Sequence, residues 1–118
     1  MKEPVIQYPK RMSEFEVQAL LWMELKKRCI DVRGCVPCRT IDGDKHPKCY
    51  LDLVVFSDLR TPMFIIECKN RPEPGSAILG ARQRRRYSRF NIPLLVCDHD
   101  SKIPAIVQIV EAQMEEMA

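Results

Sequence analysis

Two short apolar runs, each interrupted by charge, constrain this chain more than anything else in it. The first, Cys49 to Phe56, reads Cys-Tyr-Leu-Asp-Leu-Val-Val-Phe. The second, Met63 to Arg71, reads Met-Phe-Ile-Ile-Glu-Cys-Lys-Asn-Arg. Both are rich in β-branched and aromatic residues, and Ser57-Asp58-Leu59-Arg60-Thr61-Pro62 between them has turn chemistry, so they read as adjacent strands. Side chains alternate across a strand. Asp52 therefore shares a face with Val54 and Phe56, and Glu67 and Lys69 share one with Ile65. Three charged groups thus fall inside segments hydrophobic enough for a sheet interior. Removing them from water costs several kcal/mol per ion unless they pair or hold a metal. One reading is an ion pair of Lys69 with a carboxylate at the end of the sheet, Asp52 lying at the solvated start of its strand. The other is a divalent-metal site, since carboxylates on neighbouring strands are hard oxygen ligands suited to Mg²⁺. A lysine two residues beyond one of them could polarise a water or stabilise developing negative charge.

Asp52, followed after a short hairpin by Glu67-Cys68-Lys69, resembles the signature of the PD-(D/E)xK nuclease superfamily. Gln83-Arg-Arg-Arg-Tyr87, on an expected helix, resembles the accessory Gln-x-x-x-Tyr motif of its RecB-like branch. The similarity runs from about Ser13 to the last strand and is nearest to small stand-alone relatives of the type I restriction nuclease domain. Leu51 stands where the eponymous proline would precede Asp52. The resemblance implies a restriction-endonuclease-like core and a Mg²⁺-dependent DNA nuclease, endonucleolytic in action, with Mn²⁺ as a substitute. A metal-bound water would attack the phosphodiester in line. Asp52, Glu67 and the Cys68 carbonyl would hold the metal, Lys69 would orient or activate the water, and a glutamate on the first helix would join the site. Gln18, Gln83 and Tyr87 would support it.

At 118 residues the chain makes one domain. A net charge of +3 permits a nucleic-acid partner without arguing for one. No apolar run approaches the ~20 residues of a membrane span, and the opening Met-Lys-Glu-Pro-Val-Ile-Gln-Tyr lacks the apolar core of a secretory signal. The expected compartment is the cytoplasm, where cysteines serve as thiols or metal ligands rather than as disulfides.

Residues 1–12, with two prolines and no periodicity, read as an extended arm, and 13–118 as the domain. A helix begins at Ser13, whose hydroxyl and Glu16 form a capping box, and runs to about Arg28. Glu14, Gln18, Leu21 and Leu25 share a narrow sector of it, which makes Glu14 the helix-borne acid; Glu16, on the opposite side, is the substitute. Glu14 also has a purely local reading, as a first-turn complement to the helix dipole.

Ile30 to Ile41 reads as a strand kinked by Gly34 and Pro37, reversed by Asp42-Gly43-Asp44. This hairpin carries Cys35-Val-Pro-Cys38 and His46-Pro-Lys-Cys49, the ligand types of a tetrahedral zinc site. Against zinc, i and i+3 on a strand point to opposite faces, and Cys29, Cys68 and Cys97 show cysteine used as a small apolar residue.

Ser76 is the expected N-cap of a helix through about Arg89. It carries Arg82, Arg84, Arg85, Arg86 and Arg89 with no interleaved acid, a pattern that suits a phosphate backbone, although charge runs are also ordinary solvated faces. Pro93 to Cys97 reads as a short buried strand. Asp98-His99-Asp100-Ser101 reads as a turn, with Ser101 capping a last helix whose broad apolar stripe packs on the core and leaves room for a homodimer contact. The order helix, strand, strand, strand, helix, strand, helix gives the α/β class, a mixed four-stranded sheet flanked by helices. Two rivals to the nuclease are a non-catalytic nucleic-acid-binding domain of the same fold and a zinc-stapled protein-interaction module.

Overall fold

A computed structural model describes residues 12–38, 41, 50–73 and 80–117, with the backbone alone at 81, 82 and 86. The elements are α1 (Glu14–Lys27), β1 (Asp31–Pro37), β2 (Tyr50–Phe56), β3 (Pro62–Cys68), α2 (Ala81–Phe90), β4 (Leu94–Cys97), a 3-10 turn (Asp100–Lys102) and α3 (Ile103–Met117). The strands form one mixed sheet in the order β1-β2-β3-β4. The first three pair antiparallel and β4 lies parallel to β3. This is the mixed sheet flanked by helices that the apolar pattern implies, with a 3-10 turn added before the last helix.

The sheet separates two apolar clusters. On one face Val17, Leu21 and Leu25 of α1 and Ile103, Ile106, Val107 and Val110 of α3 pack on Val32, Leu53, Val55, Phe64, Ile66 and Cys68. On the other, Tyr87 and Phe90 of α2 pack on Val36, Leu51, Val54 and Ile65. Strict alternation would put Leu51 with Leu53 and Val32 with Val36, yet each pair is split between the clusters. The cause is a local break. The β1–β2 ladder pairs Gly34 with Leu53 and Val36 with Leu51 but forms no bridge between Cys35 and Asp52. Cys35 there adopts a left-handed backbone, φ 52°. Both strands change face at this point.

Local chemistry sets the ends of the elements. Ser13 Oγ accepts the Glu16 N–H at 3.2 Å while the Glu16 carboxylate takes the Ser13 N–H at 3.2 Å, the expected capping box. α1 ends in a Schellman motif: Ile30 N–H donates to Leu25 O, Cys29 N–H donates to Lys26 O, and Cys29 takes φ 59°. In the β2–β3 turn, Ser57 Oγ accepts the N–H groups of Leu59 and Thr61 at 3.3 and 3.2 Å.

Three boundaries differ from expectation. β1 stops at Pro37, because Cys38 and Ile41 take helical backbone; the Asp42-Gly43-Asp44 turn lies outside the described residues. Gly80, with φ −66° and ψ 160°, is extended and starts α2 at Ala81, so the helix is not continuous from Ser76, which also lies outside them. The final helix is entered through His99, not Ser101: His99 Nδ1 accepts the Ser101 N–H at 3.1 Å. His99 is the N-cap of the 3-10 turn Asp100–Lys102, two residues before Ser101, so the serine lies inside that turn. The arm through residue 11 is outside the described part.

Candidate metal centre at the ends of β2 and β3

Beyond Leu53↔Ile66 the β2–β3 ladder stops. The N–H of Cys68 is satisfied there by a side chain, donating to Asp52 Oδ2 at 2.8 Å. The Asp52 carbonyl, left out of the β1–β2 ladder, accepts the Gln18 amide at 2.9 Å. Gln18 also reaches Cys35 Sγ, at 3.8 Å. The break in the sheet and the acid at its edge are thus one feature, stabilised from α1.

Glu67 follows Ile65 on the face that meets α2, and only 8% of it is exposed. Its Oε2 accepts the Tyr87 hydroxyl at 2.5 Å, and its Oε1 lies 3.8 Å from the Lys69 ammonium. Burial pushes the Glu67 carboxyl above the usual range; the Tyr87 hydroxyl opposes that shift, the Asp52 charge adds to it, Lys69 opposes it, and direct contact with the Asp52 carboxyl raises it again. The two acids are therefore neighbours with more negative charge between them than one lysine offsets. Lys69 is itself held by its backbone N–H, which donates to Cys97 O at 2.9 Å.

Around this centre the expected residues divide. Asp52, Glu67, Lys69, Gln18 and Tyr87 come together. Glu14 is exposed at the start of α1, near enough for its charge to raise the Cys68 thiol further, after burial and the charges of Cys97, Asp52 and Glu67. Glu16 is occupied by the cap. Gln83 departs from expectation: its carboxamide oxygen accepts the Gly80 N–H at 3.2 Å, because the first turn of α2 has no other side-chain cap. Arg84, Arg85 and Arg89 are exposed on α2, Arg89 lying 5.6 Å from the Phe90 ring centroid. The side chains of Arg82 and Arg86 are outside the described part.

Asn70 is a residue that sequence reasoning passed over. It is 7% exposed, and its amide donates to the carbonyl of Met12, tying the entry of α1 to the end of β3. The only sequence signal was its position directly after Lys69. Asp98 is also buried, paired with Lys102 at 2.8 Å, and its carbonyl accepts the Arg71 N–H.

Of the proposed zinc ligands, Cys35 is a free, exposed thiol, whereas Cys38 is buried and disulfide-bonded to a partner outside the described residues. A disulfide sulfur is not a thiolate ligand, so Cys38 as it stands contradicts both the zinc set and the expectation of reduced cysteines throughout. The helical turn at Cys38 carries its side chain into the α2-side cluster. His46 and Cys49 lie outside the described residues. Cys29, Cys68 and Cys97 are free thiols, and burial pushes Cys97 up to about 11.

Among the described residues no group of three or more His, Cys, Asp or Glu side chains is clustered as a metal site. The donors seen to meet at the sheet end are the two carboxylates of Asp52 and Glu67. That set fits Mg²⁺, which keeps several waters and takes one or two protein carboxylates together with substrate phosphate. It does not fit zinc, which favours nitrogen and sulfur in a closed tetrahedron. Among the described residues no helix is long and apolar enough to cross a membrane. A scan against known protein families finds no match to this chain, and searches of characterised proteins and of solved structures find none either.

Proposed function

We propose that this chain is a Mg²⁺-dependent DNA nuclease with a restriction-endonuclease-like core, acting in the cytoplasm. The observation that carries the reading is the meeting of Asp52, Glu67 and Lys69 where β2 and β3 part, with Glu67 buried and its ionisation opposed by a second acid. A fold accepts that cost where function requires it. Asp52, Glu67 and the Cys68 carbonyl would hold the metal, with Glu14 at the rim. When bound, Mg²⁺ supplies Lewis-acid polarisation of the phosphodiester and of the attacking water. Tyr87 fixes the rotamer of Glu67, and Gln18 fixes the backbone that aims Asp52. Lys69 presents positive charge beside the acids, where negative charge develops on the phosphoryl oxygens during in-line attack. The arginines of α2 would hold the phosphate backbone without reading bases.

The test is cleavage of linear, nicked, single-stranded, circular and branched DNA with Mg²⁺ or Mn²⁺, beside Asp52→Ala and Lys69→Ala. Asp52→Ala should abolish cutting, and Lys69→Ala should slow it by roughly 10²–10³-fold. Salt-sensitive binding with no cutting by the parent chain would replace the enzyme with a binding domain.

A further inference from the structure

Folded chains cover their aromatic rings, and exposed ones gathered in one place mark a contact surface. Among the described residues the exposed aromatics are Phe15 at 77%, Tyr50 at 58% and Trp22 at 40%, whereas Phe64, Tyr87 and Phe90 are buried. All three sit on α1 and β2, the two elements that Gln18 joins at Asp52. Phe15 precedes Gln18 by three residues and Trp22 follows it by four, so both rings neighbour it on the helix surface. That glutamine is the side chain whose amide reaches the Asp52 carbonyl. Tyr50 opens β2 two residues before Asp52 and pairs with Pro37 on the outermost strand. Packing on the core does not account for these rings.

The charge beside one of these rings bears on the partner. The Lys26 ammonium lies 5.5 Å from the centroid of the Trp22 ring. That cation gives a phosphodiester a counter-charge beside a flat apolar face, while Glu14 and Glu16, exposed on either side of Phe15, leave that ring to stacking alone. Nucleobases stack on aromatic side chains whatever their sequence, but inside a duplex both faces of each base are already covered by its neighbours. We propose that Phe15, Trp22 and Tyr50 form a stacking surface for unpaired nucleobases. The substrate is then DNA with unpaired bases beside the scissile phosphate, an inference that rests on the nuclease reading for the meaning of "scissile".

The measurement itself does not depend on cleavage. The chain has a single tryptophan, so its emission reports this surface alone. In chelator, wild-type protein is titrated with oligothymidylate of about 15 nucleotides and with a blunt-ended duplex of two separate strands of equal length. The oligothymidylate should quench Trp22 saturably and the duplex should leave it unchanged. Phe15→Leu and Tyr50→Leu should each weaken oligothymidylate binding roughly tenfold with no change in melting temperature, both rings being exposed. Equal quenching by the duplex, or undiminished affinity in both variants, overturns the proposal. So does emission that shifts with protein concentration in the absence of DNA, accompanied by a dimer in sedimentation, which makes this face a self-association surface. Asp52→Asn should still be quenched. A parent chain that is quenched but cuts no DNA keeps the stacking surface and loses the nuclease reading, so the two failures are told apart.

Discussion

Glu67 is an acid whose ionisation the fold opposes, and that makes its contribution to stability readable against pH. Burial raises its folded carboxyl above the 4.5 of an unfolded chain, so folding takes up a proton. The penalty is absent below 4.5 and grows as pH rises through the raised folded value, beyond which it is complete. In chelator-treated protein, Glu67→Gln should therefore be more stable than wild type at pH 8, with the two denaturation midpoints converging as pH falls to 4.5. An advantage that persists in acid would assign the effect to something other than charge. Tyr87→Phe removes the hydroxyl that partly offsets the penalty; it should cost about 1.5–3 kcal/mol at neutral pH by denaturant unfolding, the range for a hydrogen bond to a charged group. At this scale Asp52, Glu67 and Lys69 were legible because charge inside a β-branched run has few explanations. Tyr87 was legible only through a motif. Asn70 and the caps made by Gln83 and His99 were not, because a polar side chain's choice between a remote partner and a nearby backbone N–H is decided by the final geometry.

The elements were legible wherever a periodic pattern met a strong end signal. The Ser13–Glu16 box and the sector of Glu14, Gln18, Leu21 and Leu25 identified α1, and two β-branched apolar runs around a turn identified β2 and β3. The start of α2 was misread because Ser76 offered a plausible cap, whereas Gly80 is extended and Gln83 supplies the capping acceptor. The face change in β1 and β2 left no pattern, since it depends on one cysteine taking a positive φ. Two substitutions test these ends. Ser13→Ala should cost about 1 kcal/mol by removing the cap. Cys29→Gly should stabilise by about 0.5–1 kcal/mol, because φ 59° at the Schellman position strains a side chain and glycine only partly returns that gain as backbone entropy. The readout is the denaturant midpoint at unchanged m-value. A fall in stability for Cys29→Gly would mean that its exposed thiol packs usefully.

For the whole molecule, the topology followed from a few rules. Short turn-bounded strands pair as a meander, and the helix after the third strand allows a parallel fourth. What no rule supplied was the division of the interior into two unequal parts, with α1 and α3 over the larger and, among the described helices, α2 over the smaller. If the acids hold Mg²⁺, the ion should raise the melting temperature of wild type and leave that of Asp52→Ala unchanged. Replacing Arg84, Arg85 and Arg89 together with alanine should weaken DNA binding at every sequence and flatten its log–log salt dependence by roughly one unit for each phosphate no longer neutralised. The described anchors of α2 in its cluster are Tyr87 and Phe90, and Tyr87 is also the hydroxyl that steadies Glu67. Any event that lifts this helix therefore rehydrates the acid and returns it toward ordinary acidity. By thermodynamic reciprocity, a polyanion that presses the helix down changes the proton affinity of the carboxylate beneath it: grip on the backbone and readiness of the acid become two readings of a single equilibrium.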